Sequence, residues 1–173
     1  MSDAEKPTEK RTEDELGARK PQLMFVLDGI SYESIRELEW RGNGELLVLA
    51  RRTFQQGVAG HVAIRTLRSP SQFMNRQRLV DAVRLAFLLH HPAIAQVHHL
   101  KIHQGAPHVI MEYVDGPSLD TVLNLVAMLE RPVSPSFALY VASEIADALH
   151  HAHTLRDDRG TPLGIVHRDI SPR

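Results

Sequence analysis

Histidines recur in close groups along the chain: His90-His91, His98-His99, and His150-His151 with His153. Imidazole is a common metal ligand, and residues three apart on a helix share a face, as His150 and His153 would. A metal site needs further donors in reach, and no carboxylate or glycine context completes a ligand set here. The groups therefore read as solvated or capping histidines, and no metal site is expected. Cysteine is absent, which removes thiolate metal sites, cysteine nucleophiles and disulfide scaffolds. Two other places carry residues suited to chemistry. Gly42 and Gly44 flank Asn43 in a turn, where a backbone without Cβ atoms could approach a phosphate or simply close a hairpin. At the far end, Ile165-Val166 leads into His167-Arg168-Asp169.

The elements that position these residues follow from apolar spacing. Residues 1 to about 20 lack the periodicity needed to offset ordering entropy and read as a solvated tail. From Met24 to Leu67 the signals are those of strands: Tyr32, Ile35 and Leu38 precede the Gly42–Gly44 turn, and the run Leu46–Leu49 is short for a helix. Gln55–Gly60 reads as a hairpin loop, and Val62-Ala63-Ile64 opens the next strand. Ser69 and Pro70 suit a helix start, Phe73, Val80, Val83 and Phe87 continue it, and Pro92 closes it. Short strands are expected around Ile94–Ile102 and His108–Tyr113. Two helices follow, Ser118 to Leu129 and one capped by Ser134 with Pro135 in its first turn. The second carries a stripe of Val141, Ile145, Ala148, Leu149 and Ala152. Ile165 and Val166 are expected to form a short strand.

This order of elements resembles that of the protein kinases. The residues that carry the resemblance are Val62-Ala63-Ile64-Arg65, His91-Pro92, Met111–Gly116 and Gly164–Pro172. The likeness runs from Tyr32 to Arg173, and the stretch Arg156–Pro172 looks like that of bacterial serine/threonine kinases of eukaryotic type. The implied fold is α+β and protein-kinase-like. It has an antiparallel five-stranded N-lobe with one helix, then the first helices of a truncated helical C-lobe. The implied organisation is a disordered charged tail at 1–20, a kinase-like N-lobe and hinge at 21–114, and an incomplete C-lobe at 115–173.

The resemblance also implies roles. Asp169 stands where the base that accepts the substrate hydroxyl proton belongs, His167 is the packing histidine, and Arg168 pairs with a phosphorylated activation loop. Met111 takes the gatekeeper position, Glu112 and Val114 offer backbone groups to adenine, and Leu38 and Ala63 sandwich its ring. Gly42 and Gly44 belong to the phosphate cover. With Gly44 as its third glycine, Glu39 and Arg41 fall where the first two belong. Arg65 replaces the strand lysine that pairs with phosphate, and a planar guanidinium is no equivalent of a compact ammonium. It reaches a phosphate, or else solvent or a nearby acid. The partner glutamate of that lysine falls at Ala82, next to Asp81, and Ser171 takes the usual lysine position of the catalytic loop. ATP and Mg²⁺ are the implied cofactors, but the Mg²⁺-binding asparagine and the later aspartate would both fall beyond Arg173.

The expected family function is ATP-dependent phosphoryl transfer to protein serine or threonine. With Arg65, Ala82 and no magnesium ligands, these residues are expected to be inactive on their own. The alternative is a pseudokinase-type protein interaction module with weak or no ATP binding. Lys and Arg number 20 against 21 Asp and Glu, a balance that exerts no global pull toward nucleic acid or anionic membrane. No apolar run approaches the ~20 residues of a membrane helix, and the N-terminus has no secretory pattern, so a cytoplasmic protein is expected. The protein substrate or partner is not specified by these residues, and the uncovered stripe on the last helix makes self-association an expectation.

Overall fold

A computed structural model describes residues 21–41, 45–67 and 73–172. The expected tail at 1–20, the Ser69-Pro70 helix start and the Gly42–Gly44 turn lie outside these described residues.

Four strands come first: β1 Gln22–Leu27, β2 Ile30–Arg41, β3 Glu45–Phe54 and β4 Gly57–Thr66. They are followed by α1 Phe73–Leu88, β5 Val97–His103, β6 Ala106–Glu112, α2 Leu119–Met128 and α3 Pro135–Thr154. The strands form one antiparallel sheet in the order β1-β2-β3-β4-β6-β5. It has six strands, not the five expected. The added strand is β1, and its signal was the Asp28-Gly29 pair. Both residues sit in the left-handed region, with φ of 50° and 77°, as a two-residue turn of the mirror-image kind requires. Gln104-Gly105 joins β5 to β6 in the same way, with φ of 49° and 77°.

Alternation along β4 sends Val62 and Ile64 to one face of the sheet and Ala63 and Arg65 to the other. The first face holds the core, built from Phe25, Tyr32, Val48, Ala50, Val62, Ile64 and Ile110. The sheet curls around it far enough for its two edges to touch. The Phe25 ring of β1 lies 5.5 Å from that of His103 on β5 and 5.5 Å from that of His108 on β6.

His108 is the one buried polar residue of this core among the described residues. Burial holds its imidazole below the usual 6.5; the nearby His103 acts in the same direction, and the hydrogen bond with the Ala106 carbonyl opposes it. A depressed imidazole leaves the unfolded chain binding more protons than the folded one below pH ~6.5, so stability is complete above that pH and falls as the solution is acidified. The thermal midpoint should therefore drop between pH 7 and 5, and His108→Leu should flatten that dependence. An equally steep pH profile in the variant would place the titrating group elsewhere.

The helices start as expected. The Ser118 hydroxyl accepts from the Thr121 amide at 3.2 Å, and the Ser134 hydroxyl accepts from the Phe137 amide at 3.1 Å, with Pro135 in the first turn. One expectation needs correcting. Ile165 and Val166 form no strand; the chain there is irregular, and the nearby pairing is an isolated bridge between Arg156 and Pro162. The α3 stripe is largely uncovered, with Ala152 the one buried residue of that helix.

Candidate active site

The face of the sheet opposite the core is where the expected site residues gather. Across β2, β3 and β4 the register aligns Glu39, Leu47 and Arg65, and two steps along it aligns Leu49 with Ala63 and Met111. Residues opposite one another in antiparallel strands share a face, so Ala63, Leu49 and Met111 form one apolar wall. Ala63 and Leu49 are buried and Met111 is half-buried. Leu38 stands at a break in the β2–β3 register between Glu37 and Glu39. Such a bulge bends the strand and re-aims the side chain on it. Leu49 was not among the expected adenine contacts; its pairing with Ala63 is set by register, which the sequence alone does not display.

The hinge beyond this wall is tied to the preceding loop. The Glu112 amide donates to the Gln96 carbonyl at 2.8 Å, and the Gln96 amide donates to the Glu112 carboxylate at 3.1 Å. Val114 follows in exposed, irregular chain. Arg36 reaches toward the same place and donates to the Tyr113 hydroxyl at 3.4 Å, which in turn donates to Asp115 at 3.2 Å. This polar link across the cleft was also absent from the expectations.

Arg65 is the decisive side chain of the phosphate end. Its guanidinium lies 3.6 Å from the carboxylate of Glu39. The acid comes from the strand that leads into the Gly42–Gly44 turn, not from α1. On α1, Asp81 lies 3.9 Å from Arg84, and Ala82 is exposed. Gly42 and Gly44 themselves lie outside the described residues.

The loop bearing His167, Arg168 and Asp169 is anchored at both ends. At its root the Leu163 amide donates to Leu155, and Arg156 donates to the Gly160 carbonyl at 2.7 Å. The Asp157 carboxylate accepts from the amides of Arg159 and Thr161 at 2.9 and 2.8 Å. At its far end the Pro172 carbonyl accepts from the Asp120 amide at 2.8 Å, at the start of α2. Inside the loop the Asp169 amide donates to the His167 Nδ1 at 3.3 Å. Arg168 lies between them at φ 64°, a conformation that an L-residue keeps only where its surroundings impose it. All three side chains are exposed. Among the described residues no hydrogen bond or ion pair joins this loop to Arg65.

The sequence model of the protein tyrosine and serine/threonine kinase family matches residues 41–173. The chain belongs to the protein kinase family. Among curated kinases it is 34% identical to "Tyrosine-protein kinase MasK" of Myxococcus xanthus over 145 residues, covering 82% of this chain and 22% of that protein. It is 33% identical over 97 residues to "Serine/threonine-protein kinase PknJ" of Mycobacterium tuberculosis, covering 56% of this chain and 14% of the relative. It thus spans less than a quarter of the length of these kinases. Among solved structures, the PknI kinase domain of Mycobacterium tuberculosis superposes with a TM-score of 0.62 at 24% identity, over 84% of this chain and 52% of that one. The fold is therefore kinase-like. The family match begins at the last residue of β2, so β1 lies before it.

Within the kinase family the nucleotide is ATP with Mg²⁺, and the two halves of the cleft fit it differently. Leu38, Leu49, Ala63 and Met111 suit an adenine ring, with the Val114 backbone at its edge. On the phosphate side the Arg65 guanidinium faces the Glu39 carboxylate. No group of three or more His, Asp or Glu side chains among the described residues is placed to hold a metal.

Proposed function

We propose that this polypeptide is a serine/threonine-kinase-like nucleotide lobe that retains an adenine wall and has lost its phosphate cradle, so that it does not transfer phosphate by itself. The observation that carries the reading is the Arg65–Glu39 ion pair at 3.6 Å. In an active kinase the corresponding cation is presented to the phosphates by an acid on the helix. Here it is held from the phosphate side by an acid on β2. The exposed Asp169 loop supports the family assignment of the base. The role that remains is a pseudokinase-type one, in which the lobes form a protein-binding surface and nucleotide binding is weak. No helix among the described residues is long and apolar enough to cross a membrane; a cytoplasmic location belongs to this reading through the family resemblance alone.

The test is incubation with labelled ATP, Mg²⁺ and a protein substrate rich in serine, threonine and tyrosine. No transfer above the level of an Asp169→Asn control is expected. Label incorporation that this substitution abolishes would overturn the reading, and the labelled side chain would identify the acceptor.

A further inference from the structure

On the core side of the sheet, away from the Ala63–Met111 wall, a cavity of about 410 Å³ opens where β2 begins and β3 ends. This size lies within the usual range of small-molecule sites, and the mouth of a curled sheet is a common place for one. Val62, Ile110 and Phe87 supply apolar walls, while Tyr32, Arg52 and His98 bring polar groups to it.

Arg52 and Tyr32 form the polar pair of this lining. The half-buried Arg52 donates through Nε to the Ala59 carbonyl at 3.2 Å, and no carboxylate among the described residues pairs with it. Its neighbour Arg51, on the opposite face, gives two hydrogen bonds to Glu33 at 2.6 and 3.1 Å. Tyr32 is 2% exposed and lines the cavity. Arg52 and Tyr32 stand directly opposite one another in the β2–β3 register. Burial raises the Tyr32 hydroxyl above its usual value, with Arg52 opposing and Asp28 adding to the shift. Burial lowers His98, with Arg52 and His99 adding and Glu112 opposing. The Arg52 charge is thus felt on both sides of the cavity.

A half-buried cation without a counter-charge favours an anion beside it. One anion can meet both Arg52 and Tyr32. The planar guanidinium fork and an O–H donor match a carboxylate, and the apolar walls select an organic one. We propose that this cavity is a second binding site, separate from the nucleotide cleft, for a small carboxylic acid with an apolar body. Its carboxylate meets Arg52 and Tyr32, and its body packs on Val62, Ile110 and Phe87.

The probe is 3-phenylpropionate, compared with 3-phenylpropanol and with inorganic phosphate, in ligand-observed NMR titrations of the full 173-residue chain. The acid should bind at least tenfold more tightly than the alcohol, and more tightly than phosphate. Arg52→Gln should erase the advantage over the alcohol, Arg52→Lys should keep part of it, and Tyr32→Phe should weaken the acid several-fold. Saturating adenosine should change none of these values. If Arg52→Gln does not fold, Arg52→Lys and Tyr32→Phe decide the matter. Equal binding of acid and alcohol, an acid preference untouched by these substitutions, or displacement by adenosine would each overturn the proposal. Phosphate binding as tightly as the acid would overturn it too, since the cavity would then read phosphoryl groups.

Discussion

Replacing Glu39 with glycine should tighten ATP binding about tenfold, ~1.4 kcal/mol, and leave adenosine binding where it was. The Glu39 carboxylate acts twice against a triphosphate: it neutralises Arg65 at 3.6 Å and repels the incoming charge. The ion pair itself is worth little, because both side chains are substantially exposed, at 27% and 42%. Pairs of that kind contribute ~0–1 kcal/mol, so its loss should not unfold the sheet. In the unmodified chain ATP and adenosine should bind with similar affinity, because the phosphates gain little. Calorimetry with the two ligands side by side measures the ratio. An ATP advantage of a hundredfold before any substitution would show that Arg65 already serves the phosphates. An unchanged ratio in Glu39→Gly would show that the carboxylate is not what blocks them. Combining Arg65→Lys with Ala82→Glu should raise ATP affinity by more than the two changes taken separately, since lysine and glutamate act as a unit.

The second large effect concerns association. Met128 at the end of α2 is 82% exposed, and Leu139 and Tyr140 on α3 are 70% and 62% exposed. Leu125 and Leu129 are exposed on the same stretch of α2. Soluble monomers seldom present contiguous apolar patches beyond a few hundred Å². The 173-residue chain should therefore sediment as dimers or larger species in a concentration-dependent way. Met128→Glu together with Leu139→Glu should return most of it to monomer without lowering the melting temperature by more than a degree or two, since neither side chain is covered. A wild-type chain that is monodisperse and monomeric at tens of micromolar would refute this.

The sequence was most legible where a residue type has one local use. Ser118 and Ser134 cap their helices through their own hydroxyls, which needs no tertiary context. Val62–Arg65 and Met111 fell on adjoining strands because the family pattern carries that pairing. The two-residue turn at Asp28-Gly29 was equally local, but it lies ahead of the family match, and with it β1 was left uncounted. Leu49 was hidden for a different reason. Which residue of β3 meets Ala63 depends on the β3–β4 register, with its irregularity between Arg52 and Thr53, and a one-residue slip would reverse the face. For Arg65 a phosphate, solvent and a nearby acid all stayed open, and only the folded register selects Glu39. The Arg52–Tyr32 pairing gave no sign in the sequence, since nothing in two lone residues twenty positions apart announces that both turn inward.

The strand order has a bearing on how the molecule comes together and apart. Four of the five seams in the sheet join strands that are consecutive in the chain, and the fifth, β4 with β6, spans α1 and β5. Closing a short hairpin costs little chain entropy, whereas a long loop must be closed before its contacts form. The long-range seam is the one that sets Ala63 against Met111. The apolar floor of the cleft thus depends on the one seam that needs a long loop closed. Anything that binds there acts as a clasp across that junction of the sheet, and its occupancy reaches Ile64 and Ile110 in the core without touching either.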